Sequence, residues 1–281
     1  MMKNTVRLPT ISLLANFFLM VGIYFFTSLS AWSESFIDQA LLINEKPFLV
    51  GAASDLKTNQ FLYNEYHYSF EEGKKYIVVY KDADDKVIAE KELLYAKALA
   101  DTNPRLMQSN YLSGERIEVD TLRAGFRVAI EYRESTDDEV KRKEFVKPQG
   151  LVVDAGFNQF IVEEWSSLLK DETVRFEYLA PSQQKTFAFT AKKESCDDIK
   201  LSSSSSSFSS SFNSNEVTCF SIAPKSWFVR QFVASISLVY DSSSKRLLRF
   251  SGLGNIGNAS GEYMQVDIRY QYTDEDRLAR L

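Results

Sequence analysis

Hydrophobic and polar residues alternate along much of the chain after residue 60. Apolar side chains take every second position at 126–132, 174–178 and 266–272, and mostly charged or polar side chains take the positions between them. A strand that buries one face and exposes the other shows this period of two, which is typical of antiparallel sheets. The pattern therefore predicts a mainly antiparallel β protein.

Short polar stretches separate these runs. They lie at 71–73, 82–85, 136–139 and 241–244 and are rich in Asp, Glu, Ser and Gly. Such stretches between alternating runs indicate turns, so we expect neighbouring strands to form consecutive hairpins.

One segment has the period of a helix. After Asp154, which is expected to cap the helix, apolar residues recur at steps of three and four along about 157–170: Phe157, Phe160, Ile161, Trp165, Leu168 and Leu169. This spacing gives one apolar face. A shorter helix is predicted at 35–42, whereas 89–100 fits either a helix or a strand.

The apolar face of the sheet needs a cover. The sheet can close into a barrel, pack on a second sheet, or remain a concave surface partly covered by the helix. We predict a mainly β fold in which a strongly curved antiparallel sheet, a half-barrel or open barrel, carries one amphipathic helix at about 157–170. Residues 31–281 are expected to form a single domain.

The N-terminus has the layout of a secretory signal peptide. Lys3 and Arg7 precede an uncharged run at 8–26, and small residues follow it. We predict cleavage before Ala31 and a periplasmic location, with residues 1–30 removed. Cleavage would change the net charge from -5 to -7, because this segment holds two basic residues and no acidic one. The alternative is an uncleaved inner-membrane anchor, because the uncharged run is nearly long enough to cross a bilayer.

Two cysteines flank a serine-rich segment. Cys196 and Cys219 lie on either side of residues 202–211, which are serine except for Phe208. A disulfide between them would close the base of a mobile loop at about 201–214, as suits an oxidising compartment. Two free thiols are the alternative, while a redox-active pair is disfavoured because there is no C-x-x-C motif.

The composition excludes several classes of function. With one His and two Cys, the chain lacks the ligands of the common His-rich and four-Cys metal sites, and we predict no metal and no cofactor. An acidic excess, 38 acidic against 33 basic residues, argues against binding to nucleic acid.

Four sequence features that suggest chemistry lack the context it needs. The G-x-G-x-x-G motif at 252–257 is followed by a predicted strand instead of a helix, so we interpret it as a connection between strands. The S-x-x-K motif at 182–185 is a predicted turn, and the acidic residues at 82–85 lack the Gly and Glu of a calcium loop. His67 has no second His. We therefore predict that the protein is not an enzyme.

Three segments carry a resemblance to known proteins. Residues 156–165, 174–182 and 247–256 resemble uncharacterised secreted proteins of Gram-negative bacteria. More remotely, the strand-rich pattern with one covering helix is similar in architecture to half-barrel carriers of the lipoprotein-localisation type. The second resemblance implies lipid or lipoprotein handling, although fold does not determine function.

These observations favour a non-enzymatic periplasmic protein that binds an apolar ligand, a lipid or lipidated partner, in a hollow between sheet and helix. The residues expected to contact that ligand are Phe157, Phe160, Ile161 and Trp165. The alternative is a cell-envelope module with a fully packed core that binds another protein. A hydrolase with an unfamiliar site is a third hypothesis.

Overall fold

The structure is a computed structural model. It describes residues 35, 37, 42, 45–96, 101–122, 126–196, 216–226 and 235–272. The predicted signal peptide at 1–30 and the predicted serine-rich loop at 201–214 lie outside the described residues, as does most of the predicted helix at 35–42.

Fifteen strands and one main helical segment make up the described part of the chain. The strands are β1 Leu49–Asp55, β2 Phe61–Phe70, β3 Lys75–Lys81, β4 Val87–Leu94, β5 Arg105–Asn110, β6 Arg116–Asp120, β7 Arg127–Arg133, β8 Lys141–Val146, β9 Leu151–Val152, β10 Val174–Ala180, β11 Lys185–Glu194, β12 Val217–Pro224, β13 Ile236–Asp241, β14 Leu247–Gly257 and β15 Tyr263–Tyr272. The helices are α1 Gly156–Glu163 and α2 Trp165–Leu169, and short 3-10 helices lie at Glu71–Gly73 and Pro181–Gln183.

All the strands belong to one sheet. Its order is β8-β7-β6-β5-β4-β3-β2-β1-β15-β14-β13-β12-β11-β10-β9, so the first and last strands of the chain pair with each other. Every neighbouring pair is antiparallel except β9 and β10, which are parallel and are connected by the helices. The predicted curved antiparallel sheet with one main helix is confirmed. The sheet is not closed by hydrogen bonds, because β8 and β9 remain its edges.

Since neighbouring strands alternate in direction, the turns lie at two opposite ends. We call "upper end" the end with the turns at 56–60, 82–86, 111–115, 181–184 and 258–262. We call "lower end" the opposite one, with the turns at 71–74, 147–150 and 242–246. Of the segment 89–100, which fits either a helix or a strand in sequence, residues 89–94 belong to strand β4, and residues 97–100 lie outside the described part of the chain.

Side chains bring the two edges of the sheet together. Leu151 of β9 and Leu179 of β10 belong to the same buried cluster as Val128 and Ile130 of β7. The 3-10 helix at Pro181–Gln183 also contacts β6 and β7. The sheet is therefore rolled, and its edges meet by packing instead of by a ladder of hydrogen bonds.

The main core lies inside the roll. It includes inner residues of β1–β4 and β10–β15 together with the helical segment, for example Tyr63, Val78, Phe176, Phe220, Phe250 and Trp165. Residues Ser35–Leu281 form one compact unit by their contacts. Within the part of the chain that is described, no helix combines the length and the apolar character needed to cross a membrane.

Candidate functional site

The helical segment fills the lower end of the roll. Phe160 lies against Phe176 of β10, with ring centroids 4.6 Å apart. Trp165 meets Phe220 of β12 edge-on at 5.0 Å and Tyr240 of β13 at 5.6 Å. Ile161 is completely buried. All four residues that were predicted to bind a ligand therefore lie in or against the main core.

Phe157, the fourth predicted residue, differs from the other three. It packs against Phe250 with centroids 5.9 Å apart but keeps part of its surface accessible. Its neighbour Asn158 accepts a hydrogen bond of 3.0 Å from the Tyr240 hydroxyl, which holds α1 against β13. Ligand contact by these four residues stays a prediction.

The start of the helix corrects one expectation. Asp154 was expected to cap α1, but no side chain caps this end, and the residue before the helix is Ala155. The Asp154 carboxylate instead binds the Lys91 ammonium at 2.7 Å, inside the roll. Gly156 is required here, because a Cβ atom at this position would lie 1.9 Å from the Thr102 carbonyl oxygen. The prediction failed because a buried ammonium on β4 binds this carboxylate more favourably than the helix end does.

Apolar side chains near the upper end keep accessible surface although they lie on the inner face. They are Tyr178 of β10, Phe187 of β11, Ile236 of β13 and Met264 of β15, all packed against the main core but only partly buried. Tyr178 and Phe187 are direct partners in the strand register. Burial raises the pKa of the Tyr178 phenol above its usual range. We call these four residues the upper apolar surface.

The hairpin of β14 and β15 reaches across the upper end. Gln108 and Asn110, on the inner side of β5, donate hydrogen bonds of 2.8 Å to the carbonyl oxygens of Asn255 and Gly257. The Tyr263 hydroxyl donates to the Glu115 carboxylate at 2.5 Å. The hairpin therefore connects to β5 and to the turn that follows it, although β14 and β15 are far from β5 in the order of strands in the sheet.

The glycines of the G-x-G-x-x-G motif belong to this hairpin. Residues 252–257 lie within β14, whereas the sequence predicted that the motif is the connection between strands; that connection is the turn at 258–262, which leads into the predicted strand β15. A Cβ atom on Gly252 would lie 2.8 Å from Ile236 Cγ1, and one on Gly257 would lie 3.0 Å from Gly261. The glycines thus allow close packing of strands, which explains the motif without a nucleotide.

Buried polar groups on β2 and β4 were not predicted. Glu65 and His67 lie on the inner face of β2 and are 3% and 8% exposed, and Lys91 on β4 is 2% exposed. The sequence gives one signal: these residues lie two positions from the apolar inner residues Tyr63, Ala89 and Leu93 along the same strands, and therefore on the same face. Because charged side chains usually occupy the solvated face, alternation alone assigned them no role.

The predicted disulfide is present. Cys196 and Cys219 are bonded, with Cα atoms 5.3 Å apart. Cys219, Val217 and Val239 form a small cluster with Leu248 on strands β12–β14. The disulfide therefore joins the end of β11 to β12 across the 23 positions that separate the two cysteines.

The other motifs have structural explanations. Asp82 accepts backbone hydrogen bonds from Asp84 and Lys86 within the turn between β3 and β4. Ser182 lies in the 3-10 helix between β10 and β11. Among the described residues, no group of three or more His, Cys, Asp or Glu side chains could hold a metal ion.

Comparison with known proteins gives a distant likeness. The chain is similar to the crystal structure of a beta-barrel-like protein of domain of unknown function DUF1849 from Brucella abortus, with a TM-score of 0.42 and 9% identity over 82% of this chain and 97% of that chain. No family model matches this chain, and no curated protein matches it. Function cannot be transferred at this identity, and the resemblance to secreted proteins stays a prediction.

Proposed function

We propose that the protein is a non-enzymatic periplasmic binding protein that takes an apolar ligand, a lipid chain or a lipidated partner, inside the rolled sheet. The upper apolar surface supports this proposal most directly. Its four side chains come from four strands, face inward near the upper end and keep accessible surface. Ligand sites are typically concave and apolar in this way.

In this proposal the helix forms the floor of the hollow. Phe157 contributes accessible surface, while Phe160, Ile161 and Trp165 hold the helix on the sheet through their contacts with inner aromatic residues. An acyl chain is a suitable ligand because it can pack against apolar side chains without needing hydrogen bonds. Each methylene group that is buried contributes about 0.8 kcal/mol to the free energy of binding.

Extraction of the purified protein tests this proposal. The mature chain is purified without detergent, extracted with organic solvent and examined by mass spectrometry. We expect stoichiometric lipid from the wild type and much less from Phe187→Glu, since a carboxylate on this wall opposes an acyl chain. Phe126→Glu is the matched control, because Phe126 is 79% exposed and outside the core clusters.

A lipid-free extract together with no binding of a hydrophobic dye would contradict the proposal. If the charge prevents Phe187→Glu from folding, Ile236→Trp replaces it, because the larger apolar ring fills the hollow without introducing a charge. Equal lipid in the wild type, Phe187→Glu and Ile236→Trp would place the ligand elsewhere and also contradict the proposal.

One observation favours the second candidate, a cell-envelope module with a packed core that binds another protein. Phe160, Ile161, Trp165 and Leu168 are at most 7% exposed, so the protein itself fills the lower part of the roll. A clean lipid extract combined with capture of a specific envelope protein by the folded chain would support this candidate.

The periplasmic location is part of the proposal and has its own test. Sequencing the N-terminus of the exported protein should find a start at Ala31. A start at Met1 in the membrane fraction would instead indicate the retained inner-membrane anchor.

A further inference from the structure

A buried carboxylate lies among tyrosines on the inner face of β1–β3 and β15. Strand register places Gly51 opposite both Tyr270 and Glu65, and Glu65 opposite Tyr80. Along β2, Tyr63 and His67 flank Glu65 on the same face. We call Tyr63, Glu65, His67, Tyr76, Tyr80 and Tyr270 the Glu65 cluster.

The glycine on β1 makes this arrangement possible. A Cβ atom on Gly51 would lie 2.8 Å from Tyr270 Cε1 and 3.1 Å from Glu65 Oε2. Without a side chain at this position, the Tyr270 ring lies over the β1 backbone and its hydroxyl donates to Glu65 Oε2 at 3.2 Å. The aromatic ring and the carboxylate are thus neighbours across one intervening strand.

Hydrogen bonds connect Tyr76, His67, Glu65 and Tyr270. The Tyr76 hydroxyl is 3.0 Å from His67 Nδ1, and His67 Nε2 is 3.1 Å from Glu65 Oε2. The tautomer with a proton on Nε2 satisfies both contacts with a neutral imidazole. The nearby Lys91 ammonium is already bound by the Asp154 carboxylate. In this tautomer, the donors to Glu65 Oε2 are the His67 Nε2–H and the Tyr270 hydroxyl.

Two polar atoms of the cluster lack partners in the described part of the chain. The Tyr63 hydroxyl is buried without a hydrogen bond, in a side chain that is 1% exposed. Glu65 Oε1 makes no hydrogen bond there either, since both bonds to this carboxylate involve Oε2. Buried polar groups are rarely left unsatisfied in native proteins. Of these two atoms, the Tyr63 hydroxyl is the buried unsatisfied one, and Glu65 Oε1 is the carboxylate oxygen that neither His67 nor Tyr270 occupies.

The cluster also has accessible surface. Tyr76 and Tyr270 remain partly exposed. Burial nevertheless raises the pKa of both phenols well above the usual range, and the Glu65 charge adds to this effect. The partly exposed rings of Tyr76 and Tyr270 are therefore the accessible part of the cluster.

We propose that the Glu65 cluster binds an organic ammonium group. Aromatic faces attract cations, and attraction is strongest where the cation loses its water. Glu65 Oε1 would neutralise the charge, and the Tyr63 hydroxyl would pair with a polar group of the same ligand. An anion would be repelled by Glu65, and a purely apolar group would leave both atoms unsatisfied. Lys91 Nζ, 5.8 Å from the Tyr80 ring, shows that these rings already accept an ammonium neighbour.

This inference goes beyond the apolar ligand proposed above, and a probe without an acyl chain separates the two. Choline and ethanolamine are titrated into the purified protein by calorimetry. Their neutral or anionic counterparts, 3,3-dimethylbutanol and acetate, serve as ligand controls. We expect saturable binding of at least one amine, at least tenfold weaker binding to Glu65→Gln, and no binding of either control ligand.

Glu177→Gln is the matched control variant, because Glu177 carries a carboxylate on β10 that binds Arg175 outside the cluster. It should bind the amine as the wild type does. Equal affinity of Glu65→Gln and wild type, equal binding of 3,3-dimethylbutanol, or no saturable binding of either amine would overturn the proposal.

The single histidine of the chain provides a readout that does not depend on a variant. In protein labelled with ¹⁵N-histidine, amine binding should shift the imidazole signal, because His67 Nε2 contacts Glu65. Binding without such a shift would place the amine elsewhere and overturn the proposal. Competition by a short-chain phosphatidylethanolamine would identify a lipid headgroup as the source of the ammonium, whereas binding of the free amine alone would identify a small metabolite.

Discussion

The two parts of the rolled sheet have different inner linings. On β10–β14 the inner positions carry large apolar residues such as Phe176, Phe189, Phe220 and Phe250. On β2 and β4 the equivalent positions include Glu65, His67 and Lys91. Both parts obey the same alternation, so the period of two determines which residues point inward but does not determine their polarity.

This difference predicts different responses to substitution. In the apolar part, stability comes from burial and close packing, and truncation leaves a cavity. In the polar part, the buried Lys91 ammonium is paired with the Asp154 carboxylate, and removing either partner leaves the other charge uncompensated.

The largest effect is expected for Trp165→Ala, which opens a cavity between the helix and the apolar part. Loss of the contacts with Phe220 and Tyr240 should lower the free energy of unfolding by about 3–5 kcal/mol, as for other buried aromatic residues. Chemical denaturation measures this change. Lipid retention should weaken as well, because the floor of the hollow moves. Lower stability with unchanged retention would assign the helix to the core alone.

Lys91→Met tests the polar part. The substitution leaves the Asp154 carboxylate buried without its ammonium, which should cost about 3 kcal/mol of unfolding free energy. The double variant Lys91→Met/Asp154→Leu should recover much of that loss, because no charge then remains unpaired. If the double variant is as unstable as the sum of the two single variants, the pair is not coupled as we describe.

The disulfide lies apart from both inner linings, so its removal should leave them unchanged and serves as a control. Cys196→Ser/Cys219→Ser should lower the free energy of unfolding by about 3 kcal/mol, the loop-closure term for a loop of this size. Amine and lipid binding by the folded protein should not change. A loss of either binding activity in protein shown to be folded by circular dichroism would mean that the disulfide also shapes the interior.

The smallest effect is expected at Glu115, where the hairpin of β14 and β15 meets β6. Burial raises the pKa of this carboxyl, although hydrogen bonds from Tyr263 and Tyr132 oppose the change. Because the pKa of Glu115 is higher in the folded state than in the unfolded state, its protonated carboxyl stabilises the folded protein. This contribution is complete at pH values below the pKa of the unfolded state, and it is lost as pH rises through the pKa of the folded state.

Glu115→Gln cannot ionise at this position. Relative to the wild type, it should therefore gain stability as pH rises, by about 1 kcal/mol at pH 8, the scale of one buried polar group. Thermal unfolding from pH 4 to pH 8 measures the difference. A gain that is largest at pH 4 would contradict this sign.

The sequence predicts the elements of the fold better than their arrangement. The period of two identified β7, β10 and β15, and the steps of three and four identified the helix, because these patterns depend on residues near each other in the chain. Pairing of β1 with β15 was not predicted, since the alternation within a strand does not specify a distant partner. The break between α1 and α2 at Glu164 was also not predicted.

The candidate site divides in the same way. The helix stripe was found because its residues are apolar and regularly spaced. Lys91 and Asp154 were not paired in advance, because 63 positions separate them and the sheet brings them together. Glu65 was missed because an acidic residue in an alternating strand is normally assigned to solvent, although it shares the face of Tyr63, and the register with Tyr80 and Gly51 brings it among the tyrosines.

Photo-crosslinking with a diazirine-bearing palmitate tests the central proposal, an acyl ligand on the upper apolar surface, most directly. After irradiation and digestion, mass spectrometry locates the labelled residues. The account predicts label on the peptides that contain Tyr178, Phe187 and Met264, with loss of label in Phe187→Glu. Label confined to exposed outer residues such as Phe126 and Val146, or no label at all, would contradict it.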